Sequence, residues 1–254
     1  MSIKTVAYVS LKGGTGKSSL TILTANYAAA TGKKVLVIDL DLQNSASFYY
    51  HPEEIAAGRN IAAALQQAIP LNDAVVPTIK HNVSLLPSSL NLADVRAIDE
   101  KRLARLLPAL QDDYDLIIID TPPTYDNIVL NGIRAAERIY TPLNTSQFDV
   151  KSALFIRDKL ELDVPDKLGA WQPVVNNLNR SHLTSDSCIT AQYLGLIRSS
   201  FIELADYEIP SRIGIKKNID ADEGLKLTPN DAFSAALYVH MTAIVGPHTM
   251  PEEL

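Results

Sequence analysis

Seven residues, Lys12-Gly13-Gly14-Thr15-Gly16-Lys17-Ser18, join an apolar strand pattern (Thr5-Val6-Ala7-Tyr8-Val9) to a helical one, and few folds accommodate that junction. Gly13, Gly14 and Gly16 let the backbone take unusual dihedrals and bring its N–H groups onto phosphate oxygens. A helix that begins near Ser18 adds unpaired amides and its positive dipole end at the same point. Polyphosphate is the ligand this geometry suits, with Lys17 as a point charge on the outer phosphates and the Ser18 hydroxyl placed for Mg²⁺. Thr15 and Ser19 belong to the same binding segment. The ordinary phosphate-loop spacing asks for glycine where Leu11 stands, so this is a variant form with a second lysine, Lys12, at its entrance.

Further along, short β-branched runs alternate with helical patterns. The runs are Val35–Ile38, Val83–Leu86, Leu116–Ile119, Ile139–Pro142 and Pro173–Val175. Helices are expected near residues 18–31, 60–68, 99–110, 127–136, 149–162, 187–204 and 229–245. Continuous apolar runs mark strands buried on both faces, and alternating βα units imply a doubly wound, mostly parallel sheet flanked by helices. No linker, repeat or low-complexity run divides the 254 residues, so one α/β domain is expected over 1–254, with 246–254 as a flexible tail.

Ligands of such sheets gather at the carboxyl ends of the strands, and acidic residues stand there. Asp39 and Asp41 follow the second strand, and Asp120 ends the Leu116–Ile119 run before Thr121-Pro122-Pro123. A carboxylate at that place, near a phosphate loop, is suited to hold Mg²⁺ through its hydration water, and Asp120 is that candidate. Asp41 is better offset to orient an attacking water, and Asp39 to support the metal shell. Each is also a residue type that caps βα turns.

Composition narrows the setting. The single cysteine, Cys188, makes no internal disulfide, the N-terminus shows no secretory pattern, and apolar stretches are only strand-length. A reducing, cytoplasmic location without membrane insertion is expected. The net charge of −6 argues against a generally basic nucleic-acid binder. Residues 151–254 hold ten Lys/Arg against fourteen Asp/Glu, so any DNA-binding patch must be local.

Taken together, these segments resemble the ParA/MinD family of P-loop ATPases, whose variant loop has the same entrance lysine. The resemblance runs from Lys4 to about Pro210. It includes Val35-Leu36-Val37-Ile38-Asp39-Leu40-Asp41-Leu42-Gln43 and Tyr114-Asp115-Leu116-Ile117-Ile118-Ile119-Asp120-Thr121-Pro122-Pro123. Leu85–Leu90 and Thr141-Pro142-Leu143 also read like family segments, and among branches the small ParA-type partition ATPases fit best.

The resemblance implies ATP and Mg²⁺ as cofactors, weak intrinsic hydrolysis to ADP and phosphate, and an ATP-dependent homodimer. The lysine at the position of Lys12 would reach the ATP of the partner subunit. Adenine would lie against Asn176 or Asn177 and Pro210. The family further implies nonspecific DNA binding, association with the nucleoid, and a ParB-like or adaptor protein that stimulates hydrolysis, for plasmid or chromosome segregation or for positioning another cargo. Arg180, Arg198, Arg212, Lys216 and Lys217 are the bases that would meet DNA, with His182 nearby. The sequence departs from the family at Leu42, where proline is usual, and after Pro210. Its first strand begins near Ile3, which leaves no place for a preceding helix-turn-helix domain, so operator-specific repression is not expected. A MinD-like membrane role would call for a basic amphipathic C-terminal helix, whereas Asp231–Val245 contains no Lys or Arg. A metabolic P-loop ligase is the remaining alternative on the same scaffold; a reductase would need more cysteines than Cys188.

Overall fold

The computed structural model describes residues 4–50, 58–95, 97–110, 112–183, 185, 188–212 and 225–254. Among them the strands are β1 (Thr5–Tyr8), β2 (Val35–Asp39), β3 (Val76–Pro77), β4 (Val83–Leu86), β5 (Leu116–Asp120), β6 (Arg138–Leu143), β7 (Trp171–Leu178) and β8 (Glu208–Pro210). They form one sheet in the order β3-β4-β2-β5-β1-β6-β7-β8. Every pairing is parallel except β3 with β4 at one edge. This is the doubly wound α/β sheet that the alternating pattern implies. β1 sits between β5 and β6, so the loop that follows it leaves from the middle of the sheet.

The helices are α1 (Lys17–Ala30), α2 (Ser45–Tyr50), α3 (Ile61–Leu65), α4 (Leu71–Ala74), α5 (Arg102–Leu106), α6 (Asn127–Ala135), α7 (Gln147–Asp163), α8 (Ile189–Ser200) and α9 (Ala232–Val245). Every residue of β2 and β5 is buried, because helices cover both faces of the sheet. Successive strand residues point to opposite faces. Leu36, Ile38, Ile117 and Ile119 therefore enter one core with α3, α6, α7 and α8, while Val35, Val37, Leu116 and Ile118 enter the other with α1, α2 and α9. Side-chain caps start several helices: Asp126 accepts from the Ile128 amide of α6, Ser146 from the Asp149 amide of α7, and Asp231 from the Ser234 amide of α9.

A buried polar chain ties β1 to the C-terminal helix. The Tyr8 hydroxyl hydrogen-bonds Thr24 at 2.6 Å and His240 Nε2 at 2.7 Å, and His240 Nδ1 meets the Tyr207 hydroxyl at 2.6 Å. His240 is fully buried, which pushes its pKa down from 6.5 to about 3. Between those values the unfolded chain binds a proton that the folded chain refuses. His240 thus contributes stability that is present above about pH 6.5 and lost as pH falls toward 3, at up to about 1.4 kcal/mol per pH unit. Urea titrations of wild type and His240→Gln from about pH 6.5 down to 4 check this. Their stabilities are expected to converge as pH falls, and parallel curves would reject the assignment.

Residues 246–254, read from sequence as a flexible tail, make defined contacts. Leu254 and Leu225 exchange backbone hydrogen bonds, the Leu227 amide donates to Glu252, and His248 Nε2 lies 3.0 Å from the Tyr27 hydroxyl. Among the described residues, no helix is long and apolar enough to cross a membrane.

Candidate active site

The loop after β1 owes its shape to its glycines. Gly14 and Gly16 have φ of +75° and +98°, a region costly for residues that carry a Cβ. Gly16 is also the N-cap of α1, which has neither a side-chain cap nor an acidic residue in its first turn. The first amides and the positive end of a fourteen-residue helix therefore face the loop without an internal anion. Lys17 lies almost wholly buried, and its ammonium donates back across the loop to the Lys12 carbonyl at 3.3 Å. Burial lowers its pKa, while the charges of Asp120 and Asp41 oppose that shift.

Strand register brings the carboxylates to this loop. Asp120 lies opposite Tyr8 on one side and Asp39 on the other. Asp120 is completely buried, and neither of its carboxylate oxygens has a hydrogen-bond partner among the described residues. Burial first, and the charge of Asp39 second, raise its pKa, with the nearby Ser18 hydroxyl and Lys17 pulling it back. An open carboxylate in such a place is costly unless a cation meets it, and carboxylate plus hydroxyl is a donor set that suits a hard divalent ion.

Asp39, expected beside Asp120 in the metal shell, is placed differently. Its Oδ1 accepts from the Asp41 amide at 3.0 Å, and its Oδ2 from the amide and hydroxyl of Ser47 at 2.8 and 2.7 Å. It braces the turn into α2 instead of facing the loop with free oxygens. Asp41 lines the open cleft, with Oδ1 held at 2.9 Å by the Gln43 amide and its carbonyl held by the Ser88 hydroxyl.

One cavity of about 870 Å³ collects most of the residues singled out from sequence: Gly13 to Ser19, Asp41, Asn176, Asn177 and Pro210. The two asparagines face different tasks. Asn176 is buried and donates from Nδ2 to the Thr15 carbonyl at 2.8 Å, so its amide is engaged with the loop. Asn177 is exposed, with φ of +55°.

Arg212 was expected on a DNA surface, yet it lines this cavity. It stacks on Phe233 at 5.5 Å, pairs with Asp231 at 3.4 Å and donates to the Lys226 carbonyl. Arg198 is paired with Glu208 at 2.5 Å, Arg180 stands in an exposed turn, and Lys216 and Lys217 lie outside the described residues.

Lys12 turns onto its own chain. Its ammonium lies 2.5 Å from Asp149 Oδ2 and 3.3 Å from the Ser146 hydroxyl, at the start of α7. Asp149 is fully buried, so this pair is partly shielded from solvent. Sequence reasoning missed Ser47, Asp149 and the cavity-lining Tyr49 and Phe233, which come from distant segments and carry no local motif. A hydroxyl eight residues after Asp39 was the one readable sign for Ser47.

Residues 3–159, more than half of the chain, match the family model described as an AAA domain. The virulence plasmid ParA family protein pGP5-D of Chlamydia psittaci is 30% identical over 209 residues, covering 79% of this chain and 80% of that protein. The chain belongs to the ParA/MinD family of P-loop ATPases. Within this family, the chromosome-partitioning ATPase Soj of Treponema pallidum is 34% identical over 151 residues, and the chain spans 58% of its length. In fold, this ParA/MinD-family chain superposes on an ATP complex of a Cyanothece McdA variant with a TM-score of 0.82, covering 98% of each chain at 20% identity.

Proposed function

We propose that this chain is a ParA-type partition ATPase that dimerises with Mg²⁺-ATP, binds DNA without sequence preference, and is reset when a ParB-like partner stimulates hydrolysis. The observation that carries the nucleotide part is the open, buried Asp120 beside Ser18 and Lys17 at the mouth of a glycine loop. The names of the relatives support the partition part: a Soj chromosome-partitioning ATPase and a plasmid ParA family protein. McdA, bound to ATP in the structure of similar fold, supports the choice of nucleotide.

In this reading the loop Gly13 to Ser19 cradles the phosphates. Lys17 neutralises their charge, and Ser18 and Asp120 hold Mg²⁺, which screens the phosphate oxygens. Asp39 keeps Asp41 in place through its amide, and Asp41 orients the attacking water. Pro210 and Asn177 lie toward the base, and Lys12 serves the partner's nucleotide after leaving Asp149. The test is calorimetry of Mg²⁺-ATP binding with a phosphate-release assay. Saturable binding with slow turnover is expected, and no binding would reject the reading.

DNA binding follows from bringing two acidic chains together so that their few bases act jointly. The ATP-bound protein is expected to bind unrelated duplexes in anisotropy assays at about 50 mM salt and to lose affinity by about ten-fold or more toward 200 mM. Lys216→Glu with Lys217→Glu should remove that binding and leave ATP affinity intact. Arg212 stays unchanged in that variant because it lines the nucleotide cavity. Failure to bind DNA with ATP present would favour a role without DNA.

A further inference from the structure

β7 does not run straight to its end. Val175 pairs with Glu208 and Leu178 with Pro210, so three steps on β7 match two on β8, and the irregularity falls on Asn176 and Asn177. Asn177 takes the left-handed backbone region, at φ of +55°. Bulges of this kind re-aim a side chain. Here the side chain re-aimed is Leu178, which enters the same core as Val175 three residues before it, while Asn176 keeps the face of Val174, toward α1, by ordinary alternation.

On that face the Asn176 carboxamide meets the phosphate loop, 161 residues away in sequence, and donates to the Thr15 carbonyl at 2.8 Å. A Cβ placed on Gly16 would stand only 2.4 Å from Asn176 Nδ2, so the carboxamide fills the space that a side chain at position 16 would need. Glycine is thus required there twice, for its φ of +98° and for this close approach. The Thr15–Gly16 peptide is planar and trans, so its N–H points opposite to its C=O. Pinning the Thr15 carbonyl toward Asn176 therefore directs the Gly16 N–H away from it, and fixes one of the amides the loop offers to an anion.

We propose that Asn176 is a positioning residue for phosphate binding, holding the Thr15–Gly16 peptide in its ligand-ready orientation, and that it does not read the base. This rests on the nucleotide reading given above. The peptide is free to rotate about its flanking bonds once the carboxamide is gone, so each phosphate-bearing ligand must then order it anew.

The probe that separates the two roles is inorganic tripolyphosphate, which has the phosphates and no base. With Mg²⁺ present, Asn176→Ala is expected to weaken ATP, GTP and tripolyphosphate alike, by about ten-fold, the effect of losing one ordering hydrogen bond. Asn176→Asp keeps the shape but sets an acceptor against the carbonyl, and is expected to weaken all three at least as much. Its unliganded thermal midpoint shows whether the fold is kept. Weakened ATP with unchanged tripolyphosphate, in either variant, would make Asn176 a base reader and overturn the inference alone. A wild-type protein that bound neither ATP nor tripolyphosphate would overturn the nucleotide reading, and the inference with it.

Discussion

Replacing Lys17 by alanine is expected to abolish Mg²⁺-ATP binding, lowering affinity by more than about a hundred-fold, since two or more charge-assisted hydrogen bonds are lost together. Lys17 is 6% exposed, and its ammonium spans the loop to the Lys12 carbonyl. Asp120 and Asp41 favour its charged form against the cost of burial. Without it, the polyphosphate would face those carboxylates with the loop amides alone. Calorimetry reads the loss, and unchanged affinity would contradict the assignment of the loop.

Asp41→Ala and Lys12→Ala are expected to part chemistry from assembly. Asp41 gives its side chain to the cleft, and among the described residues that side chain accepts one hydrogen bond, from the Gln43 amide. Its alanine variant should keep ATP bound and slow hydrolysis by about 10²- to 10⁴-fold, the usual contribution of a group that handles the attacking water's proton. Dimer should then accumulate, because the hydrolytic exit is blocked. Lys12→Ala should lose both turnover and the ATP-dependent dimer. That variant also strips buried Asp149 of its cation, so its unliganded thermal midpoint must be measured beside it. Light scattering with saturating ATP distinguishes the outcomes: monomeric Asp41→Ala, or dimeric and active Lys12→Ala, would count against these roles.

What the sequence discloses follows from how far each signal reaches along the chain. β1, β2 and β4 to β7 are legible because a strand covered on both faces is a continuous apolar run. β3 and β8 are not, since Val76–Pro77 and Glu208–Pro210 are two- and three-residue elements that include proline. α2 and α4 are too short for a periodicity to declare itself. The helix expected over 99–110 is α5 followed by a tighter turn at Leu107–Ala109, where Pro108 cannot continue the ladder. In the site, the loop and Asp120 are readable because their geometry is local. The commitment of Asp39 to Ser47, of Lys12 to Asp149 and of Arg212 to Phe233 depends on partners supplied by the tertiary fold. Charge together with the family resemblance singled out Arg212 for DNA, and neither carries a sign of its packing on Phe233 at the cavity wall.

The hydroxyl of Tyr8 and the carbonyl of Thr15 bear on what a shortened chain would be worth. The segment matched by the family model, residues 3–159, contains the whole glycine loop and all three aspartates. It omits His240, which satisfies Tyr8 beneath the loop, and Asn176, which holds Thr15. A fragment ending at 159 would carry every motif residue yet open the face of β1 and α1 that α9 covers. It should behave in solution as an aggregating polypeptide, so the recognisable motif is not the smallest autonomous unit of this protein.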